Sequence, residues 1–164
     1  MDDFVGKAEL LRRLHYGYKH FNTSIGRLSP EQMEIPGVNG KWSIKEVISH
    51  FIAHEQFALS ELRFALAGKQ YKAEETNIDR FNEAAVAERR DWTVEQVQQS
   101  WDDSFREVIA VVKELPDTAF DPWGGFTRIL GDTVDGALGN NTYSHYEEHL
   151  LTIMPWIEHQ SKDN

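Results

Sequence analysis

The chain has 164 residues, a formal net charge of −10 from 17 Lys and Arg against 27 Asp and Glu, and no cysteine. This length can bury one hydrophobic core, so we expect a single domain over residues 1–164. The lack of cysteine excludes disulfides, thiolate metal ligands and a cysteine nucleophile. No stretch has more than two adjacent basic residues and no apolar run can span a bilayer, so we expect a soluble, cytoplasmic protein with no nucleic-acid partner and no membrane partner.

Apolar residues in the first half of the chain recur at intervals of three and four, which predicts amphipathic helices. The first helix is predicted over residues 4–28 and is followed by a short turn that Ser29 can cap, with Gln32 placed to complete a capping box. The second helix begins at the capping box formed by Ser43 and Glu46 and runs to about Leu66. No segment alternates between apolar and polar residues as a half-buried strand does.

The second half of the chain has the same helical spacing. A short helix is predicted over residues 77–90, and a third long helix runs from Thr93, at another capping box, until Pro116. The segment that follows, to residue 131, is rich in proline and glycine and is predicted to be an irregular crossover. The last helix is predicted from residues 132–133, with Pro155 kinking or ending it. The fold class is therefore all-α, a four-helix bundle with one long crossover connection and one short extra helix.

The last predicted helix carries two histidines one turn apart, His145 and His149, in the sequence TYSHYEEHLL. Side chains four residues apart on a helix have Cβ atoms about 5–6 Å apart, close enough to bind one ion. Alone, such a pair is more typical of ordinary polar-face histidines than of a metal site. Its position at the edge of the apolar stripe is more informative, because imidazoles that border a core need partners.

The second predicted helix has its own histidine pair, His50 and His54, also beside its apolar stripe. His50 lies about 10 Å after the start of its helix, and His149 lies about 12 Å before the end of its own. If the two helices pack antiparallel, His50 and His149 therefore lie at the same level along the bundle axis. Three neutral imidazoles can then bind a divalent ion at about 2.0–2.1 Å and leave one position open for water, as in catalytic zinc sites.

The runs KWSIKEVISHFIAHE in the second helix and YSHYEEHLLTI in the last helix resemble the DinB/YfiT-like superfamily of four-helix bundles. The resemblance covers nearly the whole chain and implies that the family's histidine triad falls on His50, His145 and His149. It further implies an up-down-down-up bundle, often a homodimer, with a divalent metal such as zinc or nickel on the triad. Characterised members are metal-dependent enzymes that use low-molecular-weight thiols, which implies a thiol cofactor and a small-molecule substrate.

Three further residues are candidates for the surroundings of the metal. His54 is expected beside the ligands or at the edge of the core, and the resemblance implies that Asn82 lies near the pocket mouth. Glu148 is close to the histidines in sequence but lies about 60–100° from them around the helix, which favours a solvated glutamate. No catalytic base is assigned.

The preferred hypothesis is a metal-dependent enzyme, a thiol-dependent S-transferase or a hydrolase of small molecules, in which the metal lowers the pKa of a bound thiol or water. The alternative is a non-catalytic dimeric bundle that binds a small ligand or a structural metal, with His54 as a fourth ligand. In a third interpretation the histidines bind no metal and are satisfied by hydrogen bonds at the core edge. The sequence HYEEH also contains the inverted zinc-protease motif H-x-x-E-H, which we disfavour because such proteases are much larger.

Overall fold

The computed structural model describes residues 4–162, and within that range the chain is helical, with one isolated β-bridge and no strand. The α-helices are α1 (Lys7–Ile25), α2 (Pro30–Met33), α3 (Ile44–Leu66), α4 (Ile78–Glu88), α5 (Val94–Glu114), α6 (Gly125–Leu130), α7 (Val134–Gly139) and α8 (Tyr143–Lys162). A 3-10 helix occupies Asp117–Phe120. The expected all-α fold is confirmed.

The long helices α1, α3, α5 and α8 form the bundle. Aromatic contacts pair the early part of α1 with later residues of α5, so these two helices are antiparallel, whereas contacts between α3 and α5 follow the same order in both. Gly17 of α1 lies against Tyr143 at the start of α8, and Arg27 lies beside Ile157 farther along it, so α1 and α8 are parallel. The directions are therefore up, down, down and up, as the family resemblance implied.

Side-chain caps fix where the helices begin. Ser29, Ser43 and Thr93 each accept a hydrogen bond from the backbone N–H three residues later. The Gln or Glu at that later position returns a side-chain oxygen to the backbone N–H of the cap, which completes a capping box. All three predicted capping boxes are confirmed, and the starts of α3 and α5 therefore lie within one residue of their predicted positions.

The segment after α5 differs from its prediction. Residues 117–130 are not irregular but contain the 3-10 helix and α6, and the predicted last helix is divided into α7 and α8 by residues 140–142. At the division Tyr143 is packed between α1 and α7, since a Cβ added at Gly17 of α1 would lie 2.5 Å from the Tyr143 Cβ and a Cβ added at Gly139 would lie 2.6 Å from the Tyr143 hydroxyl oxygen. Only glycine leaves room for these contacts.

Of the two predicted effects of Pro155, a kink or an end of the last helix, the end is wrong, since α8 continues through it to Lys162. A proline inside a helix removes the N–H that would bond the carbonyl four residues earlier. That carbonyl belongs to Leu151, whose residue is 75% exposed. Water can satisfy it there, so the helix tolerates the proline on its outer face.

Buried side chains form two apolar clusters along the bundle axis. One surrounds Phe21, Phe51, Trp101 and Tyr146 at the end of the bundle that holds His50, and the other fills the opposite end around Leu59 and Val108. No helix within residues 4–162 combines the length and the apolar character needed to cross a membrane.

Candidate metal centre

Three histidines converge at the edge of the first cluster. His50 Nε2 on α3 lies 2.9 Å from His145 Nε2 on α8, and His149 Nε2 lies 3.1 Å from the same atom. One ring nitrogen from each histidine lies within 4.8 Å of the other two. His54, one turn after His50, faces Asn141, which precedes His145 by one turn. The predicted antiparallel packing and the predicted coincidence of levels are therefore observed.

Burial keeps these rings uncharged. Burial, with the charge of neighbouring histidines acting in the same direction, lowers the pKa of His50 to about 3 and that of His145 to about 2. Burial also lowers the pKa of His149, although the charge of the exposed Glu148 acts in the opposite direction. The three imidazoles are neutral near pH 7, which is the form that binds metal ions.

The hydrogen bonds of His50 fix its tautomer. Its Nδ1 lies 2.6 Å from the carbonyl oxygen of Val47, so Nδ1 carries the hydrogen and Nε2 presents a lone pair. A single hydrogen on His145 Nε2 can satisfy that lone pair or serve His149, but it cannot serve both well. A cation at the common centre satisfies all three nitrogens. A tetrahedral ion needs them about 3.3 Å apart, within a few tenths of an ångström of the two contacts of His145 Nε2, and all three nitrogens lie within 4.8 Å of one another. The donor set therefore fits a transition metal.

His54 is engaged elsewhere. Its Nδ1 lies 3.1 Å from Asn141 Oδ1 and its Nε2 lies 2.8 Å from Asn82 Oδ1, while its ring centroid is 4.6 Å from that of His145. Both nitrogens are thus directed at asparagine side chains, and this geometry does not support His54 as a fourth ligand. The structure brings Asn82 and His54 together beside the triad, whereas Glu148 is exposed at its edge.

Glu55 is a residue that the sequence analysis missed. Its side chain is fully buried and accepts hydrogen bonds at Oε2 from Trp101 Nε1 (2.6 Å) and the Tyr146 hydroxyl (2.8 Å). Oε1 has no hydrogen-bond partner within residues 4–162. Burial raises the pKa of Glu55 to about 8, although both hydrogen bonds act to lower it. The available signal was a glutamate at a position that continues the apolar spacing of Phe51 and Leu59.

Solved structures share this fold at low sequence identity. The protein described as Sibling Lethal Factor Precursor, DfsB, has a TM-score of 0.80 and 15% identity, covering 96% of this chain and 98% of that chain. An uncharacterised protein from Escherichia coli UTI89 has a TM-score of 0.80 and 14% identity, covering 95% of both chains. The colibactin self-resistance protein ClbS, solved in complex with a dsDNA, has a TM-score of 0.74 and 16% identity, covering 88% and 90%. No curated protein matches the chain significantly.

The comparison with ClbS corrects one expectation. The lack of long basic runs predicts no nucleic-acid partner, and this exclusion was wrong, because a bundle of the same fold has been solved in complex with a dsDNA. A count of adjacent basic residues misses those that a helix brings to one face at intervals of three and four.

The match to a family model is much broader than any single motif. The model of the DinB superfamily matches residues 13–153, from the first turns of α1 to the middle of α8. This range includes all three histidines of the triad, the whole of α3 and α5, and parts of α1 and α8. The chain therefore belongs to the DinB superfamily.

Proposed function

We propose that this protein is a metal-dependent enzyme that acts on a small molecule, with His50, His145 and His149 as ligands of a divalent zinc or nickel ion. The observation that carries the proposal is the convergence of three neutral, buried or partly buried imidazoles from two antiparallel helices. A metal held by three imidazoles lowers the pKa of a thiol or water bound at its open position. Because the chain has no cysteine, a sulfur nucleophile has to come from a low-molecular-weight thiol, which favours S-transfer or hydrolysis.

The residues around the triad restrict its motion. The Val47 carbonyl holds His50 at Nδ1, and the ring of Trp42 lies 5.0 Å from that of His50 on one side. Phe51 contacts the rings of His145 and His149 at 5.1 and 5.4 Å. Such support orients the ligand nitrogens before an ion binds, which lowers the entropic cost of forming the site.

The first test is elemental analysis of untagged protein after incubation with zinc or nickel. We expect about one equivalent of metal in the parent and in His54→Ala, and a loss of metal in His145→Ala. His20→Ala, which changes an exposed histidine on α1, is the matched control. Absence of metal from the parent overturns the proposal, and a loss of metal in His54→Ala favours the closed, structural site instead.

The metal-loaded parent is then mixed with cysteine and a small electrophile, and loss of the free thiol is followed. Turnover that needs both the metal and His145 supports an enzyme. If the protein binds one equivalent of metal but shows neither thiol transfer nor hydrolysis with any electrophile or ester tested, the non-catalytic bundle is the better description.

A second candidate function is nucleic-acid binding, and the observation that favours it is the charge of α1. Residues 7–27 contain five Lys and Arg against one glutamate, although the whole chain is acidic. Lys19 of α1 and Arg27, two residues after its end, are exposed. The exposed Tyr16 stacks on His20 with 5.7 Å between ring centroids. Basic residues with interleaved aromatic rings suit a phosphate backbone and its bases. The complex of ClbS with a dsDNA motivates the test, although the likeness itself shows only the fold.

Fluorescence anisotropy with a labelled DNA duplex tests this second function at low and at raised salt. We expect binding that weakens with salt and that is reduced in the Lys19→Ala/Arg27→Ala double variant. Lys69→Ala, which removes an exposed lysine after α3, is the control for loss of one positive charge. Absence of binding at low salt, or equal binding by parent and double variant, rejects α1 as the interface.

A further inference from the structure

A cavity of about 310 Å³ has His54 in its lining but none of the three histidines of the triad. Phe57 of α3, Phe81 of α4 and Ala73 of the connecting segment line it, and Asn141 from the junction of α7 and α8 closes its inner end. The centroid of the His54 ring lies 4.6 Å from that of the His145 ring. The cavity is therefore one side chain away from the candidate metal ligands.

The lining of the cavity determines what it can hold. The Phe57 and Phe81 rings meet edge to face with 6.0 Å between centroids, and Phe81 meets His54 in the same way at 5.1 Å. This arrangement gives an apolar wall suited to a ring or a short branched chain. The volume is at the lower limit of small-molecule sites, which excludes a ligand with a large rigid body.

The charges around the cavity exclude anions. Among the described residues that line it there is no lysine or arginine, and the carboxylate of Glu75 stands at its rim. Glu75 is held there because its Oε1 accepts a hydrogen bond of 2.9 Å from the backbone N–H of Asn77, next to the start of α4. A ligand carboxylate or phosphate would lose its water without gaining a cation, which is strongly unfavourable.

The position of His54 is fixed from the inner end. The Asn141 side chain donates through Nδ2 to the carbonyl oxygen of Ala137 at 2.8 Å, so its Oδ1 is directed at His54 and accepts from Nδ1. The side-chain amide of Asn82, on α4, lies 2.8 Å from the other nitrogen, Nε2, and donates to it when its NH2 group is turned to this side. His54 is therefore a rigid partition between the cavity and the triad, and it sets how far a ligand in the cavity can approach the metal.

We propose that this cavity binds the uncharged, ring-sized apolar body of the substrate, and that His54, held between Asn82 and Asn141, is the positioning residue that aligns this body with the triad. The assignment of the ligand as a substrate rests on the proposed metal-dependent function. The binding of an uncharged apolar ligand does not, and it can be measured on protein freed of metal by a chelator.

The test uses 4-fluorobenzyl alcohol as the neutral probe and 4-fluorobenzoate as its anionic counterpart, both followed by fluorine NMR on chelator-treated protein. For a molecule of about nine heavy atoms we expect a dissociation constant on the order of 1 mM for the alcohol. The benzoate should bind at least about tenfold more weakly, because the cavity offers no cation. Equal binding of the two probes, or no binding of the alcohol, overturns the proposal.

A pair of tryptophan variants locates the bound probe. Ala73→Trp fills the cavity and should abolish binding, whereas Ala84→Trp adds the same side chain to the exposed face of α4 and should not. Binding that survives Ala73→Trp contradicts the assignment. The comparison of the two probes on the parent chain does not depend on how well this variant folds.

Cobalt-loaded protein separates this proposal from the proposed function. If both are correct, the paramagnetic ion broadens the signal of the bound alcohol, and His54→Ala changes that broadening without changing the metal content. A chain that binds the alcohol but takes up no cobalt, zinc or nickel refutes the metal-dependent function and leaves the cavity as a ligand site. Metal uptake without binding of the alcohol refutes the cavity as a ligand site and leaves the metal-dependent function standing. A bound alcohol that stays sharp beside cobalt, or broadening unchanged in His54→Ala, refutes the positioning role of His54.

Discussion

Replacing the buried Glu55 by glutamine should flatten the dependence of stability on pH. The pKa of this carboxyl is raised from 4.5 to about 8 by burial, so the folded state holds the proton more tightly than the unfolded state does. The stability that this group contributes is therefore fully present below pH 4.5 and is lost as the pH rises to 8. At about 1.4 kcal/mol per pKa unit, the loss amounts to about 5 kcal/mol, of which about 3 kcal/mol is lost by pH 7.

Urea unfolding of the parent and Glu55→Gln between pH 5 and 8, with a chelator present, measures this effect. Glutamine keeps an acceptor oxygen for Trp101 and Tyr146, and its buried amide adds a constant cost of about 1–3 kcal/mol. Other titrating groups cancel in the difference between the two proteins. We expect the variant to gain about 1.4 kcal/mol per pH unit relative to the parent between pH 5.5 and 7.5. If the unfolding free energies of the parent and Glu55→Gln change with pH in parallel, the argument from burial is refuted. The control is Glu158→Gln, at an exposed glutamate, whose unfolding free energy should change in parallel with that of the parent.

Three further changes have definite expected outcomes. Gly17→Ala should destabilise the protein by about 1–3 kcal/mol in urea unfolding, because the added Cβ would lie 2.5 Å from the Tyr143 Cβ. This cost should exceed the gain from the better helix propensity of alanine. An increase in stability would contradict the packing of α1 on α8. Ser43→Ala should cost about 1 kcal/mol in the same assay through loss of the cap bond to the Glu46 N–H at 3.2 Å, and an unchanged midpoint would show that the cap is dispensable. Zinc at about 100 times its dissociation constant should stabilise the parent by about 2.7 kcal/mol but leave His149→Ala unchanged, and equal stabilisation of both would rule out the triad.

Local sequence patterns predicted the features whose causes are local. The starts of α3 and α5 depend on hydrogen bonds within one turn, and Ser43 and Thr93 indicate them directly. The convergence of His50 with His145 followed from distances along two helices plus one assumption about their directions. These distances hold because an α-helix has a constant rise per residue.

The features that were missed depend on contacts between distant parts of the chain. The break before α8 lies where Tyr143 packs against Gly17 of α1, and the helix continues through Pro155 because the carbonyl it frees is near the surface. The burial of Glu55 needs Trp101 from α5 and Tyr146 from α8. Helical periodicity can indicate that a glutamate faces the core, but it cannot identify which donors from other helices will meet it there.

The long separation between the histidines affects how the site can form during synthesis. His50 and His145 are 95 positions apart, and two of the three converging rings belong to α8. At about 5–20 residues per second, a ribosome adds His145 about 5–20 s after His50. A nascent chain that lacks α8 offers one imidazole where the folded protein offers three. If the triad binds metal as proposed, metal content counts the molecules in which α8 has docked, and it can report correct folding in the cell without any assay of activity.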